Sequence, residues 1–529
     1  MNLQHMTKKK HTAKVEDADP ALLAKLREAT ELLETVIKDR GVLVGIPAEE
    51  RQRLLHAVGQ VYHPDANARR QMVRATTRAR KAERIKKEDK SLHATGIRTL
   101  RRQTVFTTPN VFPPEGFTQQ DVDAEPEFRE ALDPQHCYVC KRKFTKLHHF
   151  YDQLCPTCAE FNFKKRTELA DLRGRVALLT GGRVKIGYQA GLKLLRCGAR
   201  LIVTTRFPRD SAQRYAKEPD FADWGDRLEI FGLDLRHTPS VEAFCHEMLT
   251  TRDRLDFIVN NACQTVRRPP DFYEHMMDGE KAALREMPAA VRKLLGAYEG
   301  LRGYHMLPES EGAGAAVTVD RRLTDVAGIT HAAELSQLKL LPEEREAQKA
   351  LFPEGRLDQD LQQVDLRERN SWRLLMAEVP SVELLEVHLV NAVAPFIVNA
   401  RLKPLMTRTP ERDKHIVNVS AVEGQFYRKF KTTRHPHTNM AKAALNMMTR
   451  TAATDYQHDG IHMNSVDTGW VTDEDPVEIA ARKVEEHRFH PPLDIVDGAA
   501  RIVDPIIDGV NTGVHRWGEF LKDYTPTDW

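Results

Sequence analysis

Hydrophobic positions follow two regimes along the chain. Over the first hundred residues they recur at helical spacing: Leu22, Leu26, Ala29, Leu33 and Val36 form one stripe. Asp19 suits the cap of that helix, Pro20 its first turn and Gly41 its exit. A second helix is expected after Pro47, using Leu54, Leu55 and Val58. The stretch from Thr104 to Ala131, with four prolines, reads as a linker. From Arg175 the texture changes. Short β-rich runs at 176–180 (VALLT), 200–205 (RLIVTT), 228–235 (LEIFGLDL) and 255–262 (LDFIVNNA) alternate with helical patterns. Such alternation means βαβ units and a parallel sheet in an α/β fold. It pauses between Cys263 and about Val382. It resumes with a helix through Asn391, a strand at 415–420, a helix at 439–455 and a strand at 462–468. No internal repeat is visible.

Composition narrows the class. At 529 residues, 41% hydrophobic and 29% charged, the chain can bury a sizeable core and form about two to four domains. Lys and Arg number 79 against 76 acids, so no global charge points to nucleic acid or a membrane. The apolar runs fall short of a membrane span, and no membrane partner is expected. The start has lysines without an apolar stretch behind them, unlike a secretory signal. Seven cysteines are too few and too scattered for a disulfide framework, which favours reduced thiols and a cytoplasmic location. Charge is local rather than global: Arg69–Arg102 holds thirteen Lys or Arg against three acids. Lacking interleaved aromatics, this arm does not read as a single-strand stacking surface. Contact with a nucleic-acid backbone or a protein stays open there, beside the reading as a solvated helix.

Four of the cysteines form a sharper signal. Cys137-Tyr-Val-Cys140 and Cys155-Pro-Thr-Cys158 set two CxxC turns fourteen residues apart, the thiolate set of a closed, structural Zn²⁺ site. His148 and His149 lie between the pairs and read as surface residues.

Strand 176–180 leads into Thr180-Gly181-Gly182-Arg183-Val184-Lys185-Ile186-Gly187 and then an amphipathic helix. Glycines at such a turn let a pyrophosphate approach backbone N–H groups and the helix N-terminus. With Asp234-Leu235 after the third strand, Asn260-Asn261-Ala262-Cys263 after the fourth, Asn391, Ser420, Lys442 and Val466–Thr472 in order, the chain from about Leu172 to Trp529 resembles a short-chain dehydrogenase/reductase. The resemblance implies a Rossmann-like, doubly wound parallel sheet and hydride transfer between a nicotinamide cofactor and a carbonyl or alcohol. It places Thr180, Gly181, Lys185, Ile186, Gly187, Arg206, Asp234, Leu235, Asn261, Ala262, Lys442, Gly469, Val471 and Thr472 at the cofactor. Ser420 would polarise the substrate oxygen, Lys442 hold the ribose, and Asn391 support a proton relay.

Departures from the pattern carry information. Lys185 replaces a loop glycine, Cys263 another, and Thr468 a proline. Four residues before Lys442, where the family keeps its tyrosine, stands Thr438. A threonine hydroxyl is a poor general acid beside a phenol. His437, adjacent, is a candidate substitute, and Tyr427 fits Tyr-x-x-x-Lys literally without the helix that should follow. The second strand ends Thr204-Thr205-Arg206 rather than in an acid, which favours NADP over NAD, with NAD left open. Between Asn261 and Asn391 lies an insertion, expected to be a lid or substrate domain, in which Arg267 and Arg268 are candidates for an anionic substrate.

The expected divisions are a helical region at 1–68, a basic arm and linker at 69–131, a zinc module at 132–168, a dinucleotide-binding half at 169–263, the insertion at 264–381 and a C-terminal half at 382–529. Two functions stay open: an oxidoreductase with an altered acid acting on an unidentified small molecule, and a catalytically inactive cofactor-binding scaffold or regulatory protein that recruits a macromolecule through its zinc module and basic arm. A homo-oligomer is compatible with either.

Overall fold

The computed structural model describes residues 20–106, 108, 129–282, 284–303, 331–346, 348–427, 431–487 and 490–529. Asp19, most of the linker expected at 104–131 and part of the insertion lie outside them. The chain divides into two compact units, Met1–Ala94 with Glu130–Asp133, and Thr95–Arg129 with Pro134–Trp529.

The first unit is helical. It comprises α1 (Pro20–Lys38), a 3₁₀ turn at Arg40–Gly45, α2 (Ala48–Tyr62) and α3 (Ala66–His93). Gly41 does not end α1: Asp39 caps the 3₁₀ turn by accepting from the Gly41 N–H at 2.8 Å. Neither α1 nor α2 buries a residue, and Leu22 and Leu26 of the expected stripe are exposed. The basic run lies mostly on α3, whose first turn Asp65 caps.

The second unit begins with α4 (Gly96–Arg101). β1 (Arg129–His136) has Glu130–Asp133 in the first unit, and from Pro134 the second unit continues through β2 (Lys143–Leu147) and α5 (Pro156–Thr167), the segment carrying the four cysteines. An eight-stranded sheet follows: β3 (Val176–Thr180), β4 (Arg200–Thr205), β5 (Leu228–Gly232), β6 (Phe257–Asn260), β7 (Lys414–Ser420), β8 (Ile461–Asp467), β9 (Phe520–Lys522) and β10 (Thr525–Thr527). Their order is β5-β4-β3-β6-β7-β8-β9-β10, parallel except for the β9–β10 edge pair. Helices cover both faces, so interior strands are apolar along their whole length rather than alternating. Ala177, Leu178, Leu179, Leu201, Val203, Ile258, Val259, Ile416 and Val417 form the centre of the core. Each fully buried Leu, Ile or Val contributes about 1.5–3 kcal/mol by leaving water.

The covering helices include α6 (Lys185–Arg196), α7 (Pro208–Tyr215), α8 (Thr238–Thr251), α9 (Ser381–His388), α10 (Ala394–Met406), α11 (Pro436–His458) and α12 (Ile495–Thr512). A π turn, Leu389–Val393, joins α9 to α10. This continuous helical stretch, Ser381–Met406, is long and apolar enough to cross a membrane by length and composition, contrary to the sequence expectation. Here its apolar side has another use: Val387, Ala394, Val398 and Leu402 are buried, and α10 packs on α8.

A polar ladder runs through the middle of the sheet. Asn260 Nδ2 donates to Asn418 Oδ1 at 2.9 Å and to Asn399 Oδ1 at 2.8 Å, and Asn418 Nδ2 donates to Thr449 Oγ1 at 2.9 Å. All four residues are buried, and together they tie β6, β7, α10 and α11.

Candidate functional site

Order reversal at β3 and β6 opens a crevice at the carboxyl ends of the strands, where open α/β sheets bind ligands. The cleft there has a volume of about 370 Å³, within the roughly 300–1,000 Å³ of small-molecule sites. The loop after β3 forms its floor. Gly181 sits at φ 71°, and a Cβ on Gly187 would meet the Gly181 carbonyl oxygen at 2.2 Å, so this turn is a cradle that side chains would fill. Asn261 Nδ2 holds it by donating to the carbonyls of Thr180 (3.1 Å) and Gly181 (3.0 Å), while Thr180 Oγ1 accepts from the Ala262 N–H. Lys185 keeps the left-handed backbone, φ 54°, that the glycine it replaces would favour. Burial pushes its ammonium pKa down, but Glu474, Asp360 and Asp358 outweigh that and keep it charged.

Five cations line the cleft. Three have carboxylate partners: Arg183 with Asp210, Arg236 with Asp234 and Glu386, and Arg268 with Asp365. Among the described residues Lys185 and Arg206 have no ion-pair partner. Lys185 stands at the glycine loop and Arg206 at the end of β4. Asp234, expected at the adenine, lines the cleft, but Arg236 binds its carboxylate at 2.6–3.1 Å. Burial would raise that carboxyl, yet Arg236 holds it below the ordinary range. Leu235, Ile186, Ala262 and Thr472 line the cleft as well.

The groups expected to carry the chemistry lie at the end of β7 and the start of α11. Ser420 is buried and its Oγ has no hydrogen-bond partner, and the same is true of Thr438 Oγ1. His437 is buried, with Nε2 3.1 Å from Glu383 Oε1 and Nδ1 without a partner. Burial raises the Glu383 carboxyl, and hydrogen bonds from His437 and Ser371 more than offset this. Lys442 does not extend into the cleft: its Nζ donates to the Val419 carbonyl at 2.8 Å. Asn391 lies in the π turn, a distortion frequent at functional sites. Both ends of its amide bind the backbone of Gln264, at 2.8 and 3.3 Å, so it anchors the start of the insertion. Tyr427 is 85% exposed and does not line this cleft. Gly469 (φ 75°) and buried Val471 flank Trp470, whose N–H donates to Tyr138 Oη at 3.0 Å.

The insertion reaches the cleft with Arg268, Phe272, Tyr273, Asp358, Gln362 and Gln363. Arg267, expected as a candidate for an anionic substrate, does not serve that role. It is buried between Glu344 and Glu386, leaving it no free face for an anionic substrate. Sequence reasoning missed Glu383, Arg236 and the role of Tyr273, because each acts through a partner 50 or more residues away or through an unremarkable neighbour.

The four thiols of Cys137, Cys140, Cys155 and Cys158 lie within 4.8 Å of one another, an arrangement able to hold a metal. The positive φ of Lys141 (63°) and the start of α5 turn the two pairs toward each other. His148 stays outside this set and is buried, not on the surface. Its Nδ1 accepts from the N–H of Phe150 at 3.1 Å.

Comparisons with known proteins agree with this arrangement. The family profile described as short chain dehydrogenase matches residues 175–280, and that described as enoyl-(acyl carrier protein) reductase matches residues 371–490. The gap between them falls in the insertion. The uncharacterized protein R665 of Acanthamoeba polyphaga mimivirus is 30% identical over 399 residues, 73% of this chain and 74% of that protein. Dehydrogenase/reductase SDR family member 13 of Bos taurus is 34% identical over 105 residues, only 19% of this chain and 28% of that one. Among solved structures, the Pseudomonas aeruginosa RhlG/NADP active-site complex is 16% identical with a TM-score of 0.38, over 66% of this chain and 95% of that one. The chain belongs to the short-chain dehydrogenase/reductase family of oxidoreductases.

Proposed function

We propose that the protein is an NADP(H)-dependent oxidoreductase interconverting a carbonyl and an alcohol, with His437 as proton donor and a structural zinc on the four cysteines. The observation that carries the cofactor reading is the pair of cleft cations that have no ion-pair partner among the described residues, Lys185 at the glycine cradle and Arg206 at the end of β4. The first suits a pyrophosphate beside the α6 N-terminus, and the second suits a ribose 2′-phosphate. When bound, the nicotinamide cofactor supplies or accepts the hydride. In the reducing direction Ser420 Oγ–H donates to the substrate oxygen. His437 passes its Nδ1 proton to that oxygen and becomes neutral, with Nε2–H retained on Glu383. Solvent then restores the proton. The buried, unpartnered Ser420 Oγ and His437 Nδ1 support these roles. For the metal, four cysteines close enough to fill a tetrahedral shell favour structural zinc.

A second reading, a cofactor-binding scaffold without turnover, is favoured by one observation. Ser420, His437, Thr438 and Lys442 do not line the cleft. One measurement tests the cofactor assignment common to both readings, and a second separates them. NADPH should bind at least about ten-fold more tightly than NADH, and Arg206→Ala should remove most of that preference by deleting a charge-assisted contact; equal wild-type affinities contradict the cofactor assignment. Against a panel of carbonyls, Ser420→Ala and His437→Gln should each lower NADPH oxidation by about 10²-fold or more. Turnover indifferent to both would overturn the acid assignment, and no turnover with any carbonyl would favour the scaffold.

A further inference from the structure

The insertion touches the cleft at one point where its geometry is specific. Arg206 Nη2 donates to Tyr273 Oη at 2.7 Å, and the guanidinium carbon lies 4.7 Å from the centroid of the Tyr273 ring. A long, flexible side chain from the end of β4 is thus fixed by a residue 67 positions later in the sequence. Tyr273 is itself held firmly. It ends the 3₁₀ turn Pro270–Tyr273, is buried, and packs its ring 5.0 Å from that of Phe207. Phe272 beside it packs edge-on against Phe352 in the insertion's own core. Arg268, fixed by Asp365 and stacked 5.0 Å over Phe272, adds a second guanidinium to the same wall. Burial alone would raise the Tyr273 phenol, yet Arg206, Arg268 and Arg183 bring it below its ordinary value. The phenol oxygen therefore sits in a positive field.

We propose that Arg206, Tyr273 and Arg268 form a phosphate-monoester subsite built jointly by the sheet and the insertion, with Tyr273 as the positioning residue that aims the Arg206 guanidinium into the cleft. The inserted segment is then a clamp on the ribose-phosphate end of the dinucleotide. The inference rests on the NADP(H) reading above. A dianionic phosphate meets two guanidinium groups there, one held by a phenol and the other by a carboxylate. Arg268 is already balanced by Asp365, but a plain ribose hydroxyl would leave the Arg206 charge without a counter-ion.

The test uses 2′,5′-ADP and 5′-AMP, which differ only by the 2′-phosphate, titrated into the full-length protein and into Tyr273→Phe. The phenylalanine keeps the ring beneath the guanidinium and removes only the hydroxyl. The wild type should prefer 2′,5′-ADP by about ten-fold or more, and Tyr273→Phe should reduce that ratio about five-fold, the effect of one positioning hydrogen bond, with 5′-AMP affinity nearly unchanged. Both ligands are measured on one sample, so a partly unfolded fraction cancels from the ratio. A preserved ratio in the variant overturns the clamp and leaves the NADP(H) reading intact. A wild type without preference between the probes overturns that reading instead. Equal losses for both probes would show that Tyr273 serves the cleft generally, and would also overturn the subsite.

Discussion

Lys185 illustrates how one residue can act against local backbone preference to place a charge. Its φ of 54° lies where a side chain costs about 1–2 kcal/mol relative to glycine. Lys185 lines the cleft and has no ion-pair partner among the described residues. Lys185→Gly should therefore raise the unfolding free energy by up to about 1 kcal/mol, seen as a small rise in the urea midpoint, while weakening NADPH binding about five- to ten-fold through loss of a charge-assisted contact. Tighter binding in the variant would show that the charge does not serve a phosphate. The lysine and its unusual position were legible in the sequence, because the loop motif fixes which glycine it replaces. What His437 and Arg206 contact was not. Their partners, Glu383 and Tyr273, lie 54 and 67 residues away, and no local pattern encodes such a pairing.

Among the elements, the parallel strands were the easiest to read. VALLT and RLIVTT coincide with β3 and β4, since strands buried on both faces are short, uninterrupted apolar runs. LEIFGLDL and LDFIVNNA were read too long: the structure ends β5 at Gly232 and β6 at Asn260. Their last residues leave the ladder to line the cleft, so function rather than propensity sets those ends. The helical stripe of α1 was read correctly as a pattern but covers no core within its unit. Hydrophobic period reports amphipathicity, not what lies against it. The asparagine ladder gave no periodic signal at all, because three amides from β6, β7 and α10 become neighbours only when the sheet assembles. Asn418→Ala should leave Asn260, Asn399 and Thr449 each short of a buried partner. The expected cost is about 2–4 kcal/mol in the urea unfolding free energy; a loss below 0.5 kcal/mol, roughly that of a surface change, would mean the ladder adds little.

At the scale of the whole second unit, the cysteine module is wired to the C-terminal half of the sheet rather than appended to it. Arg166 on α5 bridges Asp494 (2.6 Å) and Asp497 (2.9 Å) at the N-terminus of α12, and all three are buried. Tyr151 donates to Asp497, and Arg501 of α12 reaches back to Asn162 at 2.6 Å. Tyr138 stands between two of the cysteines and accepts from Trp470 N–H. Burial, then the nearby Asp467 carboxylate, push its phenol up to about 12, so it remains a neutral acceptor at physiological pH. Two residues past Trp470, Thr472 lines the cleft. Buried ion pairs lose much of their value when one partner moves, so a metal holding the knuckle also holds the start of α12 and the 470–472 segment. Stripping it with a strong chelator should release about one zinc per chain and lower the melting temperature by several degrees, since each 1 kcal/mol shifts a large domain by about 2–4 °C. Cys155→Ser should reproduce the shift without chelator. NADPH affinity should fall in step with metal loss, because the wall carrying Thr472 and Glu474 loses its support. Protein that is fully metal-free yet melts and binds NADPH unchanged would show that the four thiols pack without needing an ion, and that the hydrogen bond from Trp470 to Tyr138 persists on protein packing alone.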